Sequence, residues 1–541
     1  MHKLCIVRKI KPGVFVLLIC LGGSGAAEVP GAVPGPMAKA PVLAFDLDLA
    51  NPEVRTQIER QGGSIVSEGP DGIPAVRISN ESGKALMLVT FPIGVDPVRG
   101  AKLSMTAMIR GEGVEPLNKS VALRSYEGVK FQLFADSPVQ GPKYFDSRNL
   151  RGTFPWRSTG RIASIPDDAT KCAISLGIEK AGGTAWFSNV RVQVLQEKPD
   201  RPSVPANPGS NPVTRLRGVM SPQVFSKKDF DDLVSWNANL IRWQMWQHST
   251  DKTPYNDWLD SELNELAQVL DAAKERGIKV VVDLHSPPGG RLPDGTMRMF
   301  LEKEFQEEFI RNWEKIARRF KGHPAIWGYD LINEPVQTLP SPEGLGDWLG
   351  IQVLAGQAVR AIDPLTPVII ETDEWNSPES FKWLKPVNIA RVIYQAHMYW
   401  PGEFTHQGVR TDQGVAKDAN SDQAVPYPGT HAGRPLDKEA LRRYLAPVRE
   451  FQLAYGVPIY IGEFSAIRWA PGAARYLDDC ISIFEEYGWD WTYHAFREWE
   501  GWSVEHADLP RDRTNHPKAT GPTDRQQVLL KWLKLNVPLR P

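Results

Sequence analysis

The sequence predicts two folded parts, an all-β jelly-roll-like sandwich followed by a (β/α)8 barrel of the TIM type. Short runs that alternate apolar and polar residues, separated by Gly, Pro, Asn and Asp, occupy residues 42–194. From residue 213 onward, strand-like runs alternate with helix-like runs, a pattern typical of a parallel sheet with helical crossovers. A proline-rich segment, residues 198–212, separates the two patterns. Because closely spaced prolines favour an extended spacer, we place the domain boundary there.

The beginning of the chain predicts secretion. Basic residues precede an apolar run at residues 14–21, and Gly25 and Ala27 supply small residues for cleavage, which indicates a signal peptide over residues 1–27. The apolar run is too short to span a bilayer, so we expect no membrane association once the leader is removed. Residues 28–40 are rich in Ala, Pro and Gly, which predicts a disordered lead-in. The mature protein is expected to be extracellular or periplasmic.

Composition narrows the class of partner. The chain of 541 residues is 42% hydrophobic and 23% charged, which is typical of a globular protein. Its formal net charge of -1 provides no electrostatic attraction for nucleic acid or anionic lipid, so a neutral polysaccharide or oligosaccharide fits better. We expect a monomer. Cys172 and Cys480, the two cysteines that follow the leader, lie in different predicted domains, so we expect buried free thiols.

The predicted sandwich covers residues 41–197. Its closing run WFSNVRVQVL resembles the last strands of carbohydrate-binding-like modules. Two roles remain open for this domain, sugar binding and structural support of the barrel. Aromatic side chains that could stack on a sugar ring are few here, namely Tyr126, Tyr144, Trp156 and Trp186.

The predicted barrel covers residues 213–541. Eight short apolar runs are expected to be its strands, and the interval after Trp375 has the weakest helical pattern of those between them. We place the strands at residues 216–220, 239–243, 279–284, 326–332, 367–371, 391–396, 458–461 and 491–496. Helical patterns lie near residues 230–236, 259–276, 304–320, 349–362, 438–455, 473–487 and 525–533.

Two of these strands end in a glutamate. The fourth runs into Asn333, Glu334 and Pro335, and the seventh runs into Gly462 and Glu463. Catalytic residues of barrel enzymes lie at the carboxyl ends of the strands, where these side chains are expected to meet. Cleavage of a glycosidic bond with retention needs one carboxyl group as acid and a second as nucleophile. The pair therefore predicts a glycosidase.

Polar residues at other strand ends suggest how the two glutamates are supported. Arg242, after strand two, could favour an ionised nucleophile, and Tyr399, after strand six, could donate a hydrogen bond to it. Asn333 could hold the 2-hydroxyl group of the sugar. His285 and His397 complete a ring of polar strand ends.

With these residues, the sequence resembles glycoside hydrolase family 5, the cellulase family of clan A, over about residues 217–533. Position by position, Glu334 matches the family's acid/base and Glu463 its nucleophile. The resemblance implies a retaining double displacement that uses neither a metal nor an organic cofactor. It rests on Arg242, His285, the Asn333–Glu334–Pro335 triplet, His397, Tyr399 and the Gly462–Glu463 pair.

Strand eight departs from the family pattern. Family members place a tryptophan at its end as a floor for the sugar, whereas this chain reads WTYHAFREWEGW. We assign this role to Trp499, with Trp491 and Trp502 as alternatives. Glu374, after strand five, is expected to be a solvated loop charge rather than a third catalytic acid.

The expected function is that of a secreted, retaining β-glycosidase, most specifically an endo-β-1,4-glucanase. A β-mannanase or an exo-acting β-glucosidase of the same family is the alternative. If the mechanism is retaining, the two carboxyl groups should lie about 5 Å apart. Two other classes are the alternatives: a metal-dependent barrel hydrolase with Asp283, His285, His397 and a glutamate as ligands, and a non-catalytic carbohydrate-binding protein.

Tryptophans and one long loop mark the expected substrate cleft. Sixteen of the eighteen tryptophans follow residue 213, and aromatic faces stack on sugar rings. Residues 401–435 follow strand six and are expected to form a lid or a wall of the cleft. The candidate stacking platforms are Trp246, Trp375, Trp400 and Trp469.

Overall fold

The computed structural model describes most of the chain from Val42 onward, which forms one compact unit. Residues 1–41 lie outside the described part, and with them the expected signal peptide and lead-in. Among the described residues, none of the helices is both long and apolar enough to cross a bilayer. The described ranges are 42–117, 127–138, 141–147, 150–203, 215–411, 414–415, 424–431, 433–512 and 515–537.

The N-terminal part is β-rich and forms two antiparallel sheets. One sheet has the order β2-β3-β10-β5-β8, with β1 paired to β10, and the other has the order β4-β9-β6-β7. One helix, α1 (Pro52–Arg60), lies between β1 and β2. The strands are β1 (Val42–Asp46), β2 (Ser64–Val66), β3 (Ala75–Asn80), β4 (Leu86–Ile93), β5 (Lys102–Pro116), β6 (Gly128–Ser137), β7 (Gly141–Asp146), β8 (Gly152–Ser164), β9 (Lys171–Glu179) and β10 (Ala181–Gln196).

The core between the two sheets follows from period-two alternation. In β9, Cys172, Ile174, Leu176 and Ile178 all point to one face and are buried. Trp186, a candidate for sugar stacking, is also buried, whereas Tyr144 is 60% exposed. Trp156 donates a hydrogen bond to the carbonyl of Glu68, and Tyr126 lies outside the described residues. The described candidates therefore form no common platform.

The C-terminal part is a closed barrel of eight parallel strands, as the sequence predicted. Each strand overlaps its predicted range. The seventh is longer than expected and contains Glu463, whose side chain is held inside the strand rather than on a loop. The strands are β11 (Arg217–Met220), β12 (Leu240–Gln244), β13 (Lys279–Asp283), β14 (Ile326–Asp330), β15 (Val368–Glu371), β16 (Val392–Met398), β21 (Ile459–Phe464) and β22 (Asp490–Tyr493).

Helices surround the barrel, except after β15, where the sequence showed the weakest helical pattern. Only α6 (Asp373–Asn376) and a short 3-10 segment (Pro378–Trp383) follow that strand. The other helices are α2 (Lys227–Ser235), α3 (Tyr255–Arg276), α4 (Lys303–Phe320), α5 (Trp348–Ile362), α7 (Gly402–Thr405), α8 (Lys438–Tyr455), α9 (Ala473–Tyr487) and α10 (Asp524–Leu533). Four short strands pair between α7 and α8, namely β17 (Arg410–Thr411), β18 (Gly414–Val415), β19 (Gly429–His431) and β20 (Arg434–Leu436).

The sandwich contacts the barrel at the loops that follow β14 and β15. The N–H of Ile162 in β8 donates to the carbonyl of Thr338 at 2.7 Å. Lys102 of β5, with its side chain 5% exposed, lies 3.4 Å from Asp373 and 3.5 Å from Glu374. The Ser164 hydroxyl donates to Glu374 at 2.8 Å. The Glu374 side chain is 42% exposed, in agreement with a loop charge, but it also contacts the sandwich, which the sequence did not predict.

Both cysteines are buried and free, as expected. Cys172 lies in β9 of the sandwich, and Cys480 lies in α9 of the barrel. Burial in apolar surroundings raises the pKa of the Cys172 thiol to about 12, because it disfavours the charged thiolate. Both thiols are core side chains rather than reactive groups.

Candidate active site

A cleft of about 650 Å³ opens at the carboxyl ends of the barrel strands. Residues in or directly after six of the eight barrel strands line it, and Arg242 of a seventh strand supports them. This is the face at which barrel enzymes carry their chemistry. The cleft is lined by His285, Asn333, Glu334, Glu374, Trp375, Ser377, His397, Tyr399, Trp400, Gly402, His406, Tyr444, Glu463, His494 and Trp502.

Glu334 and Glu463 face each other across this cleft. Three atoms lie within 4.8 Å of one another, namely one carboxylate oxygen of each glutamate and one ring nitrogen of His397. Glu334 has a left-handed backbone with a φ of 49°, which is strained for a residue with a side chain. Its N–H donates to Glu371 at 2.7 Å, and Arg291 donates to its carbonyl at 3.0 Å, so the strained conformation is held from both sides.

Glu463 is buried among hydrogen-bond donors. Arg242 Nη1 donates to Oε1 at 2.7 Å, and the Tyr399 hydroxyl donates to Oε2 at 2.8 Å. His494 Nδ1 lies 3.1 Å from Oε2. Burial favours the neutral acid, but the charges of His397, His494 and Arg242 outweigh it and lower the pKa of Glu463 well below its usual value. Glu463 is therefore ionised at neutral pH.

Glu334 has a different environment. Its side chain is 19% exposed to the cleft, and His397 Nδ1 lies 3.0 Å from Oε1. Arg242 contacts Glu463 but does not contact the Glu334 carboxylate. The two carboxyl groups therefore lie close together, although they differ in burial and in the number of donors around them.

Arg242 is the centre of a fully buried charge cluster. Its guanidinium bonds to Asp330 at 2.8 Å and to Glu371 at 3.0 Å, and lies 3.2 Å from Asp283. With Glu463, four carboxyl groups share one cation, and burial adds to the cost of negative charge. Burial, opposed by Arg242, raises the pKa of Asp330 to about 6, and burial together with Asp330 raises that of Glu371 well above its usual value. Burial therefore shifts Glu371 toward its neutral form, while Arg242 opposes that shift.

Sequence reasoning missed the supporting roles of Asp330, Glu371 and Gln395. Gln395 donates to Glu371 and, at 3.2 Å, to Asp330. The available signal was a polar residue within an otherwise apolar strand, as in WGYD, VIIE and VIYQAHM. A buried polar residue of this kind needs a hydrogen-bond or charge partner. Here that partner is Arg242 or a carboxyl group bound to Arg242.

Asn333 and His285 are joined by a short chain of hydrogen bonds. His285 Nδ1 lies 2.8 Å from Asp283, and His285 Nε2 lies 3.2 Å from Asn333 Nδ2. Asn333 Oδ1 accepts from Arg242 at 3.0 Å. With Nδ1 of His285 protonated, its Nε2 accepts a hydrogen bond from Asn333 Nδ2. A single orientation of the Asn333 amide therefore satisfies both contacts, because Nδ2 donates to His285 and Oδ1 accepts from Arg242.

The end of strand eight requires a correction to the tryptophan assignment. Trp499 does not line the cleft, because it packs edge-on behind Trp502 with ring centroids 5.0 Å apart. Trp502 does line the cleft and stacks on Tyr399, with centroids 5.4 Å apart and an interplanar angle of 25°. Trp491 is buried within the strand, where it donates to Glu485.

His494 is a further site residue that sequence reasoning missed. It follows β22 directly and contacts Glu463, the Tyr399 hydroxyl at 2.5 Å, and Glu498. Burial disfavours its charged form, but Glu498 and Glu463 raise its pKa to about 10. The signal was its position directly after the eighth strand, where we sought a tryptophan.

The ligand set of a metal-dependent hydrolase is not assembled. Among the described residues, the group that could hold a metal is Glu334, His397 and Glu463, which differs from the set with Asp283 and His285. Asp283 is instead engaged by His285 and Arg242.

A (β/α)8 barrel with two carboxyl groups that face each other across a cleft at its strand ends is the arrangement that glycoside hydrolases use. The chain belongs to glycosyl hydrolase family 5, the cellulase family, whose model matches residues 206–499, more than half of the chain. The family resemblance and the enzyme class inferred from the sequence are thereby confirmed.

Relatives of similar sequence include proteins named endoglucanase and cellodextrinase. The chain is 26% identical over 308 residues to Endoglucanase C of Acetivibrio thermocellus, a match that covers 50% of this chain and 87% of the relative. It is 23% identical over 297 residues to Cellodextrinase A of Ruminococcus flavefaciens, covering 52% and 84%. Among solved structures, Thermotoga maritima Cel5A in complex with cellobiose shows 23% identity and a TM-score of 0.46, covering 58% of this chain and 97% of that one.

Proposed function

We propose that the protein is a secreted, retaining endo-β-1,4-glucanase in which Glu463 is the nucleophile and Glu334 the acid/base. The observation that carries the proposal is the short separation of the two carboxyl groups, with oxygens within 4.8 Å. Retaining glycosidases hold these groups about 5–5.5 Å apart, whereas inverting enzymes need about 6.5–9.5 Å to admit a water molecule.

The division of roles is supported by the different environments of the two glutamates. Glu463 is ionised and held by Arg242 and Tyr399, as a nucleophile requires. In the first step, a Glu463 oxygen attacks the anomeric carbon, and the bond to the leaving oxygen breaks as Glu334 gives that oxygen its proton. The product is a glycosyl ester of Glu463 and a shortened chain.

The second step reverses the proton movement. Glu334, now ionised, takes a proton from a water molecule that attacks the anomeric carbon, and the ester bond to Glu463 breaks. Both glutamates return to their starting states. His397, which contacts Glu334, is well placed to orient the carboxyl group in both directions.

Residues around the two glutamates are proposed to bind the sugar. Asn333, oriented by His285 and Arg242, would hold the 2-hydroxyl group, a contact that strengthens as positive charge develops on the ring. Trp502 replaces Trp499 as the proposed floor. Trp400, stacked on Tyr444 at 5.0 Å, forms a further wall.

The substrate and the endo mode rest on the relatives, several of which are named endoglucanases. A β-mannanase or an exo-acting β-glucosidase remains the alternative. Product analysis on cellulose, mixed-linkage glucan, xyloglucan and mannan separates these activities. An endoglucanase should release a series of cello-oligosaccharides, whereas release of glucose alone would indicate exo action, and preference for mannan would indicate a mannanase.

Secretion and domain layout remain proposals that rest on sequence. We propose cleavage near residue 27, a sandwich over residues 41–197, a linker over residues 198–212 and a catalytic barrel over residues 213–541. The last sandwich strand ends at Gln196 and the first barrel strand begins at Arg217, in agreement with this layout. N-terminal sequencing of the mature protein and its elution volume in gel filtration test the cleavage site and the expected monomer.

The mechanism is tested by replacing each glutamate with glutamine. Glu463→Gln removes the nucleophile and should lower kcat by about 10⁴-fold or more, the size seen when a nucleophile is lost. Glu334→Gln should lower it by about 10²–10⁴-fold, as expected for a general acid. The exposed Glu500→Gln, at the same end of the barrel, is the control and should retain full activity. Retention of the anomeric configuration in the first product, read by NMR, is the second readout; inversion would contradict the proposal.

A further inference from the structure

A second cavity, of about 310 Å³, lies between the sandwich and the barrel. Glu374 and Trp375 line both this cavity and the catalytic cleft, so the two spaces adjoin. We propose that the second cavity is a binding subsite for a neutral glycan chain, in which the sandwich supplies one wall of an extended active site. This proposal rests on the proposed function, and it assigns to the sandwich a direct role in substrate binding.

The sandwich wall is formed by edge strands of both sheets. Lys143 and Phe145 come from β7, and Arg161 and Ser164 come from β8. β7 is the last strand of one sheet and β8 the last strand of the other, so the cavity lies along the open side of the sandwich. The sandwich therefore faces the barrel with this open side, and not with an aromatic platform on the face of a sheet.

Arg161 carries a donor for which the described part of the chain offers no partner. Its Nε is buried and has no hydrogen-bond partner. A buried donor without a partner costs free energy, and a sugar hydroxyl is an acceptor that would remove this cost. Lys143, partly buried in the same wall, adds a second donor.

Charge in the cavity favours a neutral ligand. Lys102 lies between Asp373 and Glu374, Lys382 bonds to Glu379 at 2.8 Å, and Lys198 bonds to Asp167 at 3.1 Å. Asp294 accepts from the Thr338 hydroxyl at 3.0 Å. The acidic groups therefore have partners, and no strong field of one sign remains to select an ion.

Trp375 connects the cavity to the chemistry. Its indole is 49% exposed, and the Arg291 guanidinium lies over the ring at 4.9 Å from the centroid. The backbone N–H of Trp375 donates to the carbonyl of Pro335, and Arg291 also donates to the carbonyls of Asn333 and Glu334. The ring is thus fixed beside the proposed acid, which protonates the leaving oxygen, so the cavity receives the leaving-group part of the chain.

The test compares long and short substrates in variants of the full chain. Arg161→Ala and Lys143→Ala each remove one donor from the cavity. With cellohexaose, each should lower kcat/KM by about fivefold, the size of one lost hydrogen bond, and the double variant by about 20-fold. With an aryl β-cellobioside, whose leaving group does not reach the cavity, all variants should match the parent protein. Arg157→Ala, an exposed arginine on the same strand outside the cavity, is the matched control.

The outcomes separate this proposal from the proposed function. If the parent protein cleaves neither cellohexaose nor the aryl cellobioside, the proposed function fails. If it cleaves both, and the variants lose no activity on cellohexaose or lose equal activity on both substrates, the subsite is refuted while the glucanase assignment stands. A loss confined to glycans that carry carboxylate groups would overturn the neutral-glycan assignment. Unchanged thermal unfolding of Lys143→Ala would show that its kinetic effect does not arise from misfolding.

Discussion

Glu463 and Glu334 lie in one cleft but in contrasting surroundings. The Glu463 side chain is 4% exposed and contacts Arg242, Tyr399 and His494, whereas that of Glu334 is 19% exposed and contacts His397. Donors directed at a carboxylate stabilise its charged form. The comparison teaches that two identical side chains in one cleft differ in how strongly their charged form is stabilised, because the number of donors around each differs.

The sharpest test of this difference is the dependence on the leaving group, and it carries the largest expected effect. Glu334→Ala should lower kcat/KM for cello-oligosaccharides by about 10³-fold, since their departing oxygen needs a proton. For a dinitrophenyl cellobioside, whose leaving group departs without one, the loss should be about tenfold or less. Glu463→Ala should abolish turnover of both substrates. Equal losses in the two variants on both substrates would mean that the roles are not divided in this way.

Removal of the central cation should affect stability as well as activity. Arg242→Met leaves four buried carboxyl groups without their cation, and should cost about 3–5 kcal/mol in the free energy of unfolding at pH 8. The cost should shrink at pH 4, because protonation of these groups removes the buried negative charge. Urea unfolding of the variant and the parent protein at both pH values measures this difference in the free energy of unfolding. The control, Arg298→Met, breaks a surface pair with Glu302 and should cost less than about 1 kcal/mol; a similar cost in both variants would contradict the cluster's role.

The pH profile tests the part that His494 plays in keeping Glu463 ionised. His494→Asn removes a cation and a hydrogen bond, so the pKa of Glu463 should rise. Because the nucleophile must be ionised, the acid limb of kcat/KM should move to higher pH, by about one unit. Glu498→Gln, which removes an acid that helps to hold the charge on His494, should shift the limb in the same direction by less. An acid limb that stays in place in both variants would exclude this role.

The smallest effect concerns the two tryptophans after strand eight. Trp502→Ala removes a ring that lines the cleft, and should raise KM for cellotetraose by about three- to tenfold. Trp499→Ala should change KM by less than about twofold, since its ring packs behind Trp502. The opposite ranking would restore Trp499 as the floor of the subsite.

Much of the barrel was predictable from local pattern. Short apolar runs bounded by polar or turn residues marked all eight strands, because a strand buried on both faces must be apolar along most of its length. The same rule made Glu334 and Glu463 conspicuous, since a carboxylate next to such a strand is costly unless it is used or paired. Arg242, Tyr399 and His397 followed from their positions at other strand ends.

The remaining site residues depend on neighbours that are distant in the chain. Asp330, Glu371 and Gln395 are acceptable in the barrel interior because Arg242 comes from another strand, and no local pattern reveals that partner. His494 was missed because a tryptophan was expected at that strand end.

By itself, the sequence determined the order of the two domains, the positions of the strands and the two glutamates, because these depend on hydrophobic period and on local charge. Tertiary structure alone decided which tryptophan reaches the cleft and that Glu374 binds the sandwich. The Glu374 contacts join Lys102 and Ser164 of the sandwich to a loop of the barrel, more than two hundred residues later in the chain. Contacts of this kind arise from packing between domains, which a one-dimensional pattern does not encode.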